Sequence, residues 1–344
     1  MKTETKVLKK VSLGKLETEK AVEFVKSTFL TALSDALELT KVSAPAVVLT
    51  GTGINDDLNG IERPVRFPIK DWAEKRAEVV HSLAKWKRLR LKEYEIPVGK
   101  GIVTDMRALR PDEVLSPLHS IYVDQFDWEK CIHTKDRTLE VLKATVQRIY
   151  QALKLTELRV SETYDHLTPF LPEQITFLHS EDLLAKYPSL NAKEREDAAA
   201  REYGAFFLIG IGGVLQDGKK HDGRAPDYDD WSTTTSEGKK GLNGDIVVWN
   251  PILKRSFELS SMGIRVDETA LMRQLELEES LDRRDYYYHQ LLLKGTLPQS
   301  IGGGIGQSRL AMLLLQKQHI GEVQVSIWTD EIHTAANVRG IQLL

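Results

Sequence analysis

Ile301-Gly-Gly-Gly-Ile-Gly-Gln-Ser-Arg309 is the stretch whose reading decides the fold of this chain. Gly302, Gly303, Gly304 and Gly306 precede an arginine, and the apolar run Leu310-Ala-Met-Leu-Leu-Leu315 follows it. Glycine has no Cβ, so a flat group can lie directly against its backbone. The spacing predicts a glycine strand and turn feeding a buried helix too short to cross a membrane. Arg309 then falls in the first helical turn and points back over the glycine surface. Its planar guanidinium can stack on a base or pair with a phosphate. A glycine-rich bulge that only packs a strand on a helix has the same composition. Two nucleotide motifs are excluded. The dinucleotide fingerprint opens a βαβ unit and needs an acid ~20 residues later, whereas this stretch lies near the C-terminal end. A phosphate-binding Walker loop needs Gly-Lys-Ser/Thr, and here the sequence reads Gln307-Ser308-Arg309.

Working outward, alternating strand and helix signals run through the chain. Val22, Val25, Phe29, Ala32, Leu33, Ala36 and Leu37 recur at helical spacing, and Val47-Val48-Leu49 after Pro45 reads as a strand. A polar loop, 51–60, leads to Val79-Val80 and a helix over 82–88. Strands are expected over 102–109 and 121–128, a long helix over 139–153, and a buried strand over 205–211. A polar segment over 217–243 is long enough to read as functional or mobile. With strands scattered from end to end and helices between them, the expected class is α+β, a mostly antiparallel sheet flanked by helices, with residues 1–344 as one domain.

Composition narrows the function classes. The chain has 344 residues, 47 basic against 50 acidic, with no long run of either sign. That disfavours a nucleic-acid-binding surface. Cys131 is the only cysteine, so an internal disulfide and a thiolate zinc site are both excluded. Its flanks, Lys130 and Ile132, suggest a buried small side chain with a raised thiol pKa. No N-terminal apolar core and no apolar stretch of ~20 residues is present, so the expectation is a cytoplasmic protein without signal peptide or membrane partner.

Three side-chain groupings carry possible chemistry. Asn250-Pro251-Ile252-Leu253 favours a tight turn between strands 245–249 and 256–260. Pairing 250 with 253 sets Asp245 opposite Glu258, where two like charges destabilise a sheet unless they share a cation such as Mg²⁺. Slippage of the register would leave both acids solvated. Period two puts Gln125 and Asp127 on one strand face, and Met106, Ala108 and Arg110 on one face of the preceding strand. Arg110 beside a carboxylate and a carboxamide suits an amino-acid pocket; a surface ion pair is the bland alternative. Lys85, Lys87 and Arg88 read as a solvated helix face, and His81 and His119 as isolated core or supporting histidines.

These pieces resemble, in order, the three motifs of class II aminoacyl-tRNA synthetases: the helix-to-strand element with Pro45, the strand–loop–strand with Arg110-Pro111-Asp112-Glu113, and Gly302 to Arg309. More narrowly, the chain resembles the ammonia-dependent asparagine synthetases, the aspartate–ammonia ligases. That resemblance is carried by Val79-Val-His-Ser-Leu-Ala-Lys-Trp-Lys-Arg88, Ala108 to Glu113, Ser116-Pro-Leu-His-Ser120, Arg224-Ala-Pro-Asp-Tyr-Asp-Asp-Trp-Ser232, Gly241-Leu-Asn-Gly-Asp245 and Glu258-Leu-Ser-Ser-Met-Gly-Ile-Arg265. The first twenty and last ten residues depart from the pattern.

The resemblance implies a class II synthetase-like fold and a ligase converting aspartate, ATP and ammonia to asparagine, AMP and pyrophosphate through β-aspartyl-AMP. It implies that Arg110 bridges the reacting carboxylate and α-phosphate, that Arg309 holds adenine or the γ-phosphate, and that Asp245 and Glu258 hold Mg²⁺. Aspartate would be bound by Asp56, Lys87, Gln125, Asp127 and Arg265. Ser120, Ser260, Ser261 and Gly304 would wall the nucleotide, and Asp229 would bind ammonium or take its proton. A homodimer follows by the same analogy. The rival readings are a tRNA synthetase core, which lacks a tRNA-binding module or basic patch here, and an inactive regulatory relative, which would tend to lose the arginines and acids that are present. A glutamine-dependent synthetase lacks its nucleophile, since position 2 is Lys2.

Overall fold

A computed structural model describes residues 13–56 and 62–344. The part of the 51–60 loop beyond Asp56 lies outside the described residues. Eleven strands form two sheets among the described residues: β1 Leu39–Val42, β2 Val47–Leu49, β3 Arg66–Ile69, β4 Trp72–Val79, β5 Gly101–Leu109, β6 Tyr122–Cys131, β7 Thr176–His179, β8 Ala205–Ile209, β9 Asn243–Asn250, β10 Arg255–Ile264 and β11 Ser300–Gly306. The helices are α1 Lys15–Leu37, α2 Ala84–Glu93, α3 Leu139–Thr163, α4 Ser180–Lys186, α5 Ala192–Tyr203, α6 Glu268–Leu277, α7 Tyr287–Leu293, α8 Gln307–Leu314 and α9 Asp330–Val338. The main sheet runs β1-β5-β6-β11-β10-β9-β8-β7. Its five inner pairings are antiparallel, and only the outer pairs β1–β5 and β7–β8 are parallel. The α+β, mostly antiparallel expectation holds. A small sheet, β2-β4-β3, stands beside it.

One face of the main sheet is the core. Val25, Phe29 and Leu33 of α1, Leu142, Val146 and Ile149 of α3, and the apolar run of α8 are buried against Phe126, Trp128, Ile246, Met262, Ile301 and Ile305. The helical spacing read in 22–37 is the stripe by which α1 enters this core. Residues 310–314 of the apolar run belong to α8, with Leu315 just past its end, and the first turn of α8 has no cap of its own. Asp124, from β6, supplies one by accepting the Ser308 N–H at 2.9 Å, which fixes the helix start against the sheet.

The other face carries rows of polar side chains, because residues directly opposite in an antiparallel pair share a face. One row runs Thr104–Asp127–Gly304–Ser261–Asp245 across five strands. The next runs Ile102–Glu129–Gly302–Gly263–Asn243. The glycines at their centre are sterically required. A Cβ on Gly302 would lie 1.9 Å from Glu129 Oε2 and 2.6 Å from Arg265 Nη2; one on Gly304 would lie 2.7 Å from Gln125 Oε1.

The hairpin register differs from expectation. Asn250 pairs with Arg255, not with 253. Asn250 Oδ1 accepts from the N–H groups of Ile252 (2.9 Å) and Leu253 (3.0 Å), and Lys254 takes the left-handed conformation, so the turn is two residues longer. A bulge between Glu258 and Ser260 then shifts the ladder again. Asp245 faces Ser261, and Glu258 faces Val247. Because 245 and 247 share a face, the two acids still project from the same side, as diagonal rather than direct neighbours.

The glycine floor predicts the effect of Gly302→Ala. The methyl cannot coexist with the buried Glu129–Arg265 pair, and overpacking or splitting such a pair costs about 3 kcal/mol or more. Urea unfolding should show this loss, and stability equal to the parent would mean the floor is not closely packed.

Candidate active site

A cleft of about 480 Å³ opens over the polar face. Asp56, Lys87, Arg110, Ser120, Gln125, Asp127, Asp229, Glu258, Ser261, Arg265, Gly304 and Arg309 all line it. Asp245 does not line it but lies beside it, directly opposite Ser261 in the row already described. Residues far apart in sequence thus converge, from the 50s loop, α2, β5, β6, the 217–243 segment, β10, β11 and α8. Ser260 points away from the cleft altogether. Its cross-strand neighbours are Ile246 and Ile305, both core residues, so it turns toward the helices. The bulge after Glu258 brings Ser261, and not Ser260, to the cleft.

Charge on this floor is paired in a chain. Lys87 is fully buried; its Nζ donates to Asp127 Oδ1 at 2.7 Å and to the Gly303 carbonyl at 2.9 Å. Burial pushes the Lys87 pKa down while Asp127 opposes the shift. The solvated-face reading of Lys85, Lys87 and Arg88 is therefore overturned. All three are buried, with Lys85 on Asp227 at 2.8 Å and Arg88 donating to the Pro298 and Val266 carbonyls. A strand-facing side of α2 this polar is possible because each cation meets an oxygen.

Arg265 donates to Glu129 at 2.8 to 3.1 Å and also pairs with Asp229. Burial alone would raise the Glu129 pKa, but Arg265 holds it below the usual carboxylate range. Arg224 reaches Asp245 Oδ1 at 2.5 Å and Asp229 Oδ2 at 3.9 Å. Asp245 is pushed up to about 8, by burial first, with Glu258 adding to it and Arg224 pulling against it. Arg309 folds back over Gly306, its Nη1 3.2 Å from the Glu258 carbonyl and 3.5 Å from Glu258 Oε2.

Four polar atoms of cleft-lining residues have no hydrogen-bond partner among the described residues: Arg110 Nε, Asp127 Oδ2, Arg224 Nε and Gln324 Oε1. Arg110 is anchored through Nη2 to the His81 carbonyl at 3.1 Å. Ser120 Oγ meets Ser326 Oγ at 2.5 Å, tying the loop after Pro117 to the chain beyond α8. His81 is fully buried and His119 lines the cleft; burial lowers both, His119 to about 4, so both rings are neutral at pH 7.

Glu129 and Arg224 are the functional groups that residue-by-residue reading missed. Glu129 was accessible in principle, since period two extends Gln125 and Asp127 to 129. Arg224 lies in an irregular segment, where no spacing rule operates.

The fold matches the asparaginyl-tRNA synthetase of Pyrococcus horikoshii at a TM-score of 0.66 and 16% identity, over 89% of this chain and 68% of that one. An aspartyl-tRNA synthetase from Entamoeba histolytica matches at 0.57 and 12% identity, over 94% of this chain and 64% of that one. The architecture is that of a class II aminoacyl-tRNA synthetase catalytic domain. In sequence, the family model for aspartate–ammonia ligase matches residues 16–340. The aspartate–ammonia ligase of Parabacteroides distasonis is 55% identical over 335 residues, 97% of each chain. That of Bacteroides thetaiotaomicron is 55% identical over 328 residues, 95% of each. The chain belongs to the aspartate–ammonia ligase family and is an enzyme.

Cys131 stands apart from the chemistry. Its Sγ donates to the Ile96 carbonyl at 3.3 Å, and burial, with Glu129 nearby, raises the thiol to about 11. It does not line the cleft. At pH 8 the native protein should react with an aromatic disulfide reagent at least ~100-fold more slowly than the unfolded chain, because little thiolate forms. Equal rates would contradict this burial.

Proposed function

We propose that the chain makes L-asparagine from L-aspartate, ammonia and ATP, releasing AMP and pyrophosphate through β-aspartyl-AMP. The observation that carries this reading is the pair Arg110 Nε and Asp127 Oδ2, a donor and an acceptor left unmatched over one polar floor. An amino acid satisfies both, its α-ammonium at Asp127 and its side-chain carboxylate at Arg110. The names of the 55% identical relatives supply aspartate and ammonia. The structural neighbour complexed with asparaginyl-adenylate supports an adenylate over the same kind of sheet. We read residues 1–344 as one catalytic unit acting as a cytoplasmic homodimer.

In this mechanism Asp127, Gln125, Lys87, Asp56 and Arg265 orient aspartate. An oxygen of its side-chain carboxylate attacks the α-phosphorus, and the bond to pyrophosphate breaks, the electron pair leaving with it. Arg110 stabilises charge spreading over the carboxylate and α-phosphate, and Arg309 does so on the nucleotide. Ser120, Ser261 and Gly304 wall the nucleotide. Ammonia nitrogen then attacks the acyl carbon, the carbon–oxygen bond breaks, and AMP leaves with that electron pair. Asp229 faces the cleft as the carboxylate that holds ammonium before it gives up a proton. Incubation with ATP, aspartate and ammonium should yield AMP; ADP and phosphate would sink the adenylate route.

Mg²⁺ fits the residues present. No group of three or more His, Cys, Asp or Glu able to hold a metal is found among the described residues. Mg²⁺ shared with substrate phosphates needs only one or two carboxylates, and Asp245 and Glu258 provide them. Bound there, the ion would supply charge neutralisation to the phosphates. The raised Asp245 fixes the sign of a pH effect. A proton on the raised Asp245 carboxyl competes with the cation, so Mg²⁺–ATP binding should tighten as pH rises and release a proton. Calorimetry in buffers of different ionisation enthalpy reads this release; the same release in Asp245→Asn would contradict the assignment.

Arg110→Lys keeps a charge but loses the planar fork. A fall in kcat of roughly 100-fold or more is expected, and a near-normal rate would make Arg110 a structural ion-pairing residue.

A further inference from the structure

We propose that Asn55 is the positioning residue that locks Asp56 and Arg110 at a fixed separation; this rests on the aspartate-binding reading above. Asn55 is buried, immediately before Asp56, at the end of the described 50s loop. All four hydrogen-bonding positions of its carboxamide are used. Nδ2 donates to Glu78 Oε1 at 3.1 Å and to the Val79 carbonyl at 3.2 Å. Oδ1 accepts from the Asp56 N–H at 3.0 Å and from the His81 N–H at 2.8 Å. The partners are two acceptors on one side and two donors on the other, so the amide has one orientation.

His81 extends the link. Its main-chain N–H is held by Asn55, and its main-chain carbonyl accepts Arg110 Nη2 at 3.1 Å. Asn55 thus connects the backbone of Asp56, through one residue, to the guanidinium of Arg110. Both connected side chains line the cleft. Glu78 is braced from outside by Arg66 Nε at 2.9 Å, so the anchor does not move with the loop. The part of the loop before Asn55 is tied independently, by Tyr288 N–H donating to the Thr52 carbonyl at 3.2 Å. Residue type is tightly restricted here. Aspartate has no donors and would set a carboxylate against Glu78 and the Val79 carbonyl. Serine and threonine are too short to span both sides.

A small displacement of a substrate-positioning group is enough to lower reactivity sharply. Asn55→Asp should therefore raise the KM for aspartate by roughly tenfold or more and lower kcat. ATP affinity, measured without aspartate, should stay within about twofold, because Ser120, Ser261 and Arg309 hold the nucleotide outside this link, and Arg110 acts on the α-phosphate only as charge spreads in the transition state. Adding Glu78→Gln returns a donor opposite the new carboxylate and should recover at least about threefold of kcat/KM for aspartate. If Asn55→Asp does not fold, Asn55→Ala carries the same expectation of a selective rise in aspartate KM. An aspartate KM within twofold of the parent overturns the proposal. So does a parallel loss of ATP affinity, or no recovery on adding Glu78→Gln. The link itself is read by hydrogen exchange of the Asp56 and His81 amides, which should quicken in Asn55→Ala; unchanged protection overturns it whatever the reaction. A parent protein that makes no asparagine, together with quickened exchange in Asn55→Ala, contradicts the functional reading and not the link.

Discussion

The site depends on the absence of three Cβ atoms. Gly302, Gly304 and Gly306 let the side chains of Glu129, Arg265, Gln125, Asp127 and Arg309 lie flat on the backbone of β11. Any larger residue would lift these groups off the sheet. The charges therefore sit deep, in low dielectric, where each interaction is strong and each unpaired charge is costly. The sequence meets that cost by alternation: Glu129, Arg265, Asp229, Arg224 and Asp245 form a continuous chain of opposite signs. It ends at Asp245 and Glu258, two neighbouring acids, where cationic charge is in shortest supply. The shift of Asp245 expresses this imbalance.

A buried ionic floor contributes little net stability, so the fold must be held elsewhere. The opposite face does this. α1, α3 and α8 cover the sheet with an apolar core in which Phe29, Trp128, Met262 and Leu310 are almost wholly buried. The division of labour is between faces of one sheet. One face is hydrophobic and holds the chain together. The other is rigid and polar, with donors and acceptors fixed before substrate arrives, which is the arrangement electrostatic catalysis requires. Asn55 adds a second fixed element, linking a loop to the edge of the same floor.

Much of this was legible in the sequence where a period governs side-chain direction. The glycine run gave a strand entering a helix with Arg309 in its first turn. Period two correctly grouped Gln125 with Asp127. All the residues that the family resemblance named, Asp245 and Ser260 apart, line the cleft, although it could not assign faces. Ser260 failed because a bulge changes phase without a compositional mark. The hairpin register failed because Asn250 spent its side chain on an Asx turn and Lys254 entered the left-handed region. The basic cluster on α2 failed for another reason. Charge runs are normally solvated, and burial of Lys85, Lys87 and Arg88 requires partners from 40 to more than 200 residues away in sequence. Such pairing is tertiary information.

The central claim is that this floor delivers the side-chain carboxylate of aspartate to the α-phosphorus of ATP. Aspartate carrying ¹⁸O in both side-chain carboxylate oxygens tests it most directly. One labelled oxygen should appear in the phosphate of AMP and the other remain in the amide carbonyl of asparagine. Label in inorganic phosphate or pyrophosphate, with none in AMP, would contradict the account.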